Sequence, residues 1–171
     1  MKSPPVPATA AIRFLKEHCV SFTLRHYAYV DHGGTSRAAE ELHINEHEII
    51  KTLVFQDEAQ NPFLMLMHGD QEVSLKELAR ALGVKTVTPS NPQTAERHTG
   101  CQVGGISPFA TRKRLPVYAE QTIFDLPHIL INAGKRGVLA EIAPASLRAL
   151  LPVTEVRAAR GRCPLNPRRG E

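Results

Sequence analysis

The period of apolar positions changes repeatedly along this chain, and each change marks an element. Ile12, Leu15 and Cys19 recur at helical spacing behind Thr9, a capping residue, which predicts a helix from residue 9 to about 18. Phe22 and Leu24 then alternate with polar neighbours, the period of a strand over residues 21–27. His32-Gly33-Gly34 reads as a turn, with Thr35 or Ser36 capping a helix that carries Ala38, Ala39 and Leu42. Residues 49–56 are nearly continuously apolar, and so are 63–68. The turn-forming stretch between them predicts an antiparallel hairpin. Ser74-Leu75-Lys76-Glu77 has the spacing of a capping box, and the helix it opens ends at Gly83, a left-handed C-cap. A short strand at 84–88 follows, then a helix opened by Asn91-Pro92. Residues 115–119, 129–132 and 138–142 read as strands, 144–151 as a helix and 153–157 as a last strand.

Several of these strands are joined by turns too short for parallel crossovers. The expected fold is therefore α+β: a mixed, mainly antiparallel sheet with helices packed around it. At 171 residues the chain suits one domain, placed at 8–157, with flexible ends at 1–7 and 158–171.

Composition narrows the function classes. Hydrophobic residues make up 42% and charged residues 22%, ordinary for a packed domain. With no Trp, three Tyr and six Phe, an aromatic stacking platform for single-stranded RNA is not expected. No apolar run is long enough to span a bilayer and the N-terminus has no secretory apolar core, so a cytoplasmic protein without a membrane partner is expected. Cys19, Cys101 and Cys163 are widely spaced and form no C-x-x-C pair. The net charge of +4 is concentrated in the tail, where residues 158–171 carry four arginines against one glutamate.

Four places carry candidate chemistry. Lys51 lies inside the apolar run Ile49-Ile50-Lys51-Thr52-Leu53-Val54-Phe55. A lysine there either points to water from an edge strand or meets a partner in a cleft, because a buried ammonium needs one. Gly104-Gly105-Ile106-Ser107-Pro108 is either a tight turn or a loop whose amides meet a carbonyl or oxyanion. Gly134-Lys135-Arg136-Gly137 is a hairpin turn or a phosphate-binding one. Arg112-Lys113-Arg114 is a solvated charge run or a contact for a polyanion. No metal or cofactor is expected: His43 and His47 stand four apart, but Asn45 between them caps a new helix and separates them. Cys101 reads as a small packed residue rather than a nucleophile.

Taken together and in order, these pieces resemble the YbaK family, free-standing relatives of the prolyl-tRNA synthetase editing domain. The resemblance rests on Lys51-Thr52-Leu53-Val54, on Val103-Gly104-Gly105-Ile106-Ser107-Pro108 followed by Arg112–Pro116, and on Gly134-Lys135-Arg136-Gly137. It implies a trans-editing deacylase that hydrolyses the ester of a mischarged tRNA, Cys-tRNA(Pro) or Cys-tRNA(Cys). Prolyl-tRNA synthetase is the partner it suggests. It implies catalytic roles for Lys51, Gly104 and Gly105. Substrate contacts would come from Tyr27, Thr52, Ile106, Ser107, Pro108 and Asn132, and tRNA contacts from Arg112, Lys113, Lys135 and Arg136. The chain departs from the pattern at Gly34 (phenylalanine in YbaK), Asn132 (serine), Leu139 (aspartate) and Ala110 (glycine in some relatives). Those departures leave open a deacylase for another small amino acid. A binding module without chemistry is the other alternative.

Overall fold

A computed structural model describes residues 5–161. The chain runs through helix α1 (Ala10–Glu17), strand β1 (Thr23–His26), α2 (Gly34–Leu42), the hairpin strands β2 (Ile49–Asp57) and β3 (Pro62–His68), and β4 (Gln71–Val73). It continues through α3 (Leu75–Leu82), β5 (Val87–Pro89), α4 (Pro92–Thr99), β6 (Val117–Glu120), β7 (Ile129–Asn132), β8 (Val138–Ile142), α5 (Ala145–Leu150), β9 (Val153–Val156) and β10 (Ala159–Gly161). Eight strands form one sheet in the order β1-β8-β7-β2-β3-β6-β9, with β5 also on β2. The pairs β1–β8, β7–β8, β2–β3 and β2–β5 are antiparallel, whereas β2–β7, β3–β6 and β6–β9 are parallel. A mixed, mainly antiparallel α+β sheet is thus present, with β4 and β10 as a separate small ribbon.

Both faces of the sheet are covered. On one face Ile50, Val54, Leu64, Leu66, Ile129 and Ile131 pack with Ile12 and Leu15 of α1 and with Ile106, Phe109 and Leu115 of the long loop after α4. On the other, Phe55, Phe63, Met65 and Met67 pack with Leu78 of α3, and Ile49, Leu130 and Leu139 pack with Ala38 and Ala39 of α2. Each strand supplies both faces by simple alternation. Leu64 through Met67 of β3 are 0% exposed, which makes this strand the centre of the molecule.

Four local expectations need correction. Neither Thr35 nor Ser36 caps α2. Gly33 occupies the cap without a side-chain bond, and the Thr35 hydroxyl is instead engaged by Glu46 and the Gly69 carbonyl. The Ser74 hydroxyl does accept from the Glu77 amide, but the return half of the capping box is missing. The Ser74 amide donates to the Ala158 carbonyl, and Glu77 pairs with Arg80. The strand expected at 84–88 pairs at 87–89 instead, because the Val84 amide closes the α3 terminus on the Ala79 carbonyl. The ordered chain also continues past 157. Ala158 is buried, both its amide and that of Ala159 donate to the buried carboxylate of Glu120, and β10 pairs with β4. Residues 1–4 and 162–171 lie outside the described residues.

Candidate active site

The site begins with an interruption in the sheet. On its β7 side β2 pairs in parallel at Ile49↔Leu130 and Ile50↔Ile131, and on its β5 side it pairs at Phe55↔Pro89 through Asp57↔Val87. Lys51, Thr52 and Leu53 fall between these two short ladders. Along that edge Thr52 and Leu53 have no paired strand among the described residues. Such an edge exposes main-chain donors and acceptors to whatever enters the gap.

Alternation decides what faces the gap. Lys51 and Asn132 each stand one residue beyond the last β2–β7 pair, on the face that carries Ile49 and Leu130. Leu139 pairs directly with Asn132 and continues the row onto β8. Thr52 has the opposite orientation, on the side of Ile50 and Val54. Adjacent residues of a strand cannot share a face, so Lys51 and Thr52 do not converge as side chains. The Thr52 hydroxyl is buried with no hydrogen-bond partner in the structure.

Lys51 is half-buried, and its ammonium donates to the main-chain carbonyl of Gln71 in β4. That carbonyl supplies the partner a lysine in an apolar strand requires. The turn before it is itself fixed. Gly69 donates to the Ile49 carbonyl, Thr35 donates to the Gly69 carbonyl, and His47 bonds Asp70 at 2.9 Å. Neither β4 nor this turn was visible in the periodicity, because three residues are too few to show a pattern.

The glycine loop arrives from the far side of the gap. The Asn132 amide nitrogen donates to the Gly104 carbonyl at 3.0 Å, while its oxygen is buried without a partner. Arg136 donates from Nε to the Val103 carbonyl at 2.8 Å, and its guanidinium lies 4.8 Å from the centre of the Tyr29 ring. Gly104 is required here: its φ is +92°, and a Cβ would lie 2.7 Å from the Tyr29 hydroxyl. At Gly105 a Cβ would meet the Arg136 amide nitrogen at 2.7 Å. The two glycine loops therefore touch backbone to backbone. Past the tip, Ile106, Ser107, Pro108 and Phe109 are buried, so their side chains face the core and only the loop backbone is available to a ligand.

Tyr27 and Tyr29 form the outer wall. Tyr27 is half-buried, its amide donates to the Gly137 carbonyl, and burial raises the pKa of its phenol. Tyr29 and Glu41 add to that rise, and a backbone hydrogen bond from Gly137 opposes it. The phenol is thus protonated at neutral pH and able to donate. Tyr29, absent from the sequence expectations, is the tyrosine that contacts the loop; its signal was the two-residue spacing from Tyr27. Outside lies a cleft of about 430 Å³ lined by Tyr27, Tyr29, Glu41, Lys135 and Arg136; Lys51 does not line it. Lys135 is exposed there, whereas Arg136 is largely committed to the loop. Arg112 and Lys113 are exposed at the loop's base.

Among the described residues no three His, Cys, Asp or Glu side chains are grouped to hold a metal. His43 is the left-handed C-cap of α2, and Asn45 caps the separate short turn that carries His47. One hydroxyl–imidazole pair exists, Thr122 with His68 at 2.8 Å, but His68 is fully buried and cannot meet a substrate.

An interrupted β2 edge bearing a lysine, faced by two interlocked glycine loops, is an arrangement for holding an ester against main-chain donors. Comparison with known proteins identifies the family. Residues 33–150 match the family model of the aminoacyl-tRNA editing domain. The chain is 34% identical over 143 residues to EbsC of Enterococcus faecalis, named as a candidate Cys-tRNA(Pro)/Cys-tRNA(Cys) deacylase, covering 83% of this chain and 87% of that protein. It is 26% identical over 116 residues to the proline–tRNA ligase of Brachyspira hyodysenteriae, 59% of this chain but only 20% of the ligase. The fold matches a candidate trans-editing enzyme for prolyl-tRNA synthetase with TM-score 0.78 at 21% identity, over 91% of this chain and 100% of that one. It also matches the hypothetical protein APE2540 with TM-score 0.80 at 20% identity, over 89% and 100%. The chain belongs to the aminoacyl-tRNA editing domain family, as the resemblance to YbaK and the synthetase editing domain implied.

Proposed function

We propose that this chain is a free-standing aminoacyl-tRNA deacylase whose substrate is a cysteinyl-tRNA, Cys-tRNA(Pro) or Cys-tRNA(Cys). The observation that supports the reading is the interrupted edge of β2, where Lys51 and Asn132 each stand one residue beyond the last β2–β7 pair and Asn132 bonds the Gly104 carbonyl. The name of the Enterococcus relative supports the same substrate. In this reading Lys51 leaves the Gln71 carbonyl to hold the 3′ end of the tRNA and to stabilise charge developing on the ester. Main-chain amides of Gly104, Ile106 and Ser107 face the carbonyl oxygen. The Tyr27 phenol donates to the aminoacyl group or ribose, and Lys135 lies where a neighbouring phosphate would pass.

The site needs no nucleophile of its own. The substrate thiol attacks its own ester: a sulfur–carbon bond forms, the carbon–oxygen bond to the ribose breaks, and the thiol proton leaves with the 3′ oxygen. The protein's contribution is orientation. The reaction belongs in the cytoplasm, where charged tRNA is used, with prolyl-tRNA synthetase as the source of tRNA(Pro) selectivity.

A second reading has one specific observation in its favour. Leu139, at the position of an aspartate in YbaK, is 2% exposed and packs against Ile49, Leu130 and Tyr27. The wall beside Asn132 is thereby apolar, which would suit a small aliphatic amino acid such as alanine. Side-by-side deacylation of Cys-tRNA(Pro), Cys-tRNA(Cys) and Ala-tRNA(Pro) by wild type and Lys51→Ala separates the two. The expected result is loss of the cysteinyl esters only, reduced about 100-fold or more in the variant. Retained activity in Lys51→Ala would remove the lysine from the mechanism, and activity on Ala-tRNA(Pro) alone would transfer the proposal to the aliphatic substrate.

A further inference from the structure

Some cations of this protein are held by carboxylates and others are not. Arg25, Arg37, Arg80, Arg136, Arg148 and Arg160 each sit within 4.0 Å of a carboxylate. Arg97, Arg112, Lys113 and Arg114 are all exposed, and none has a carboxylate partner among the described residues. Their isolation is written into the chain, because residues 97–119 contain no aspartate or glutamate. The nearby acid Glu96 accepts a hydrogen bond from the Val103 amide.

The fold gathers these four cations at one place. The Arg112 amide donates to the Thr99 carbonyl and the Lys113 amide to the His98 carbonyl, so the 112–114 run is laced onto the last turn of α4, which carries Arg97. A Cβ built on Gly100 would lie 3.7 Å from the Arg112 side chain, which crosses the end of that helix. Arg97 adjoins His98 in the chain and the Lys113 amide bonds the His98 carbonyl, so both flank this buried histidine, whose pKa is lowered by burial first and then by the charges of Lys113 and Arg97. The helix C-terminus attracts cations, but its partial charge of about half a unit does not account for four of them.

This cluster closes the base of the loop whose tip meets Asn132, Tyr29 and Arg136. We infer that Arg97, Arg112, Lys113 and Arg114 form a phosphate-binding ridge that takes the backbone of the tRNA acceptor stem while the 3′ end enters the β2 gap. The inference rests on the proposal that aminoacyl-tRNA is the substrate. It adds Arg97 and Arg114, and it separates a ridge that binds backbone from a gap that does chemistry. Backbone contacts carry no sequence information, so the ridge contributes affinity and register.

The test compares wild type with the fourfold variant Arg97→Gln/Arg112→Gln/Lys113→Gln/Arg114→Gln. A control variant, Lys76→Gln/Lys85→Gln, removes exposed cations elsewhere. Binding of an uncharged tRNA transcript is measured against salt, and hydrolysis is measured on cysteinylated tRNA and on cysteinyl-adenosine. Every phosphate that is no longer neutralised flattens the slope of log affinity against log salt by roughly 0.7–0.9. The fourfold variant is expected to lose about 3 units of slope, to raise KM for the full tRNA at least tenfold, and to leave cysteinyl-adenosine hydrolysis unchanged. The control keeps the wild-type slope. An unchanged slope in the fourfold variant overturns the ridge, and so does an equal loss on both substrates, which would mean a structural role. If wild type hydrolyses neither ester but the fourfold variant still loses the salt slope, the ridge stands and the deacylase reading falls.

Discussion

Along its β3 side, β2 keeps seven residues in unbroken register, from Ile50↔His68 to Gln56↔Pro62. Along its other side it pairs for two residues with β7 and three with β5, and Lys51 lies in the space between. On the first side Leu64–Met67 are fully buried and every one is apolar. The second side collects orphaned polar atoms, the Thr52 hydroxyl and the Asn132 oxygen, together with left-handed backbone at Gly104, Ala110, Gly134 and Gly137. One strand therefore has a side built for stability and a side left unfinished. An unsatisfied buried acceptor costs about 1–3 kcal/mol, a cost that evolution tolerates where a ligand supplies the missing partner.

The comparison breaks most easily at its two extremes. Lys51→Ala should abolish deacylation while leaving thermal stability close to wild type, because the ammonium sits at a half-buried position with a main-chain carbonyl as acceptor. Leu66→Ala should do the reverse. Removing a fully buried leucine side chain costs about 3 kcal/mol, visible as a lower urea midpoint, while activity per folded molecule is kept. Both variants losing both properties would mean the two sides of β2 are not separable.

The sequence showed the finished side better than the unfinished one, for a physical reason. Apolar periodicity reports burial, and the β2–β3 hairpin and the apolar face of α1 are burial made visible. The Thr9 cap was legible too, since its hydroxyl accepts from the Ile12 amide as its position requires. The gap in the β2 edge was not legible, because it depends on where β7 and β5 stop, and no local pattern encodes that. Lys51 was found by the same logic in reverse, as a charge in an apolar run, and Gly104 and Gly105 by resemblance. Gln71, Tyr29 and the Thr35–Gly69 contact escaped because each depends on a turn being brought against a distant strand.

A smaller effect sharpens the comparison through pH. His68 lies on the finished side, its Nδ1 2.7 Å from the His47 carbonyl and its Nε2 2.8 Å from the Thr122 hydroxyl. Those partners suit a neutral ring: Nδ1–H donates to the carbonyl, and Nε2 accepts from the hydroxyl. Burial lowers its pKa, the stacked His47 adds to the lowering, and the His47 backbone contact, Asp70 and Glu120 oppose it. The folded state therefore binds a proton less readily than the unfolded chain. The stability His68 contributes is complete above the ordinary histidine pKa of about 6.5 and declines as pH falls below it. Urea unfolding at pH 7.5 and 5.5 should show the loss, and His68→Gln should reduce it without removing the part due to His98, which shifts in the same direction. Equal wild-type stability at the two pH values would mean that His68 is not held neutral.

The smallest effect tests the unfinished side directly. Ala110 has a φ of +54°, in the left-handed region that a Cβ disfavours by about 1–2 kcal/mol. It lies just beyond the buried stretch ending at Phe109 and just before the arginines at the loop's base, so Phe109 and the Arg112–Thr99 bond hold it from both ends. Ala110→Gly relieves the strain but loosens the unfolded chain, which returns part of the gain. The net expectation is a stabilisation of roughly 0.5–1 kcal/mol and a Tm rise of about 2–3 °C, read by calorimetry, with unchanged kcat. A glycine that stabilises but slows deacylation would carry more information still. It would mean that the strained alanine holds the Gly104 tip against Asn132. A glycine that lowers Tm would place residue 110 outside the left-handed region and remove it from the strained set.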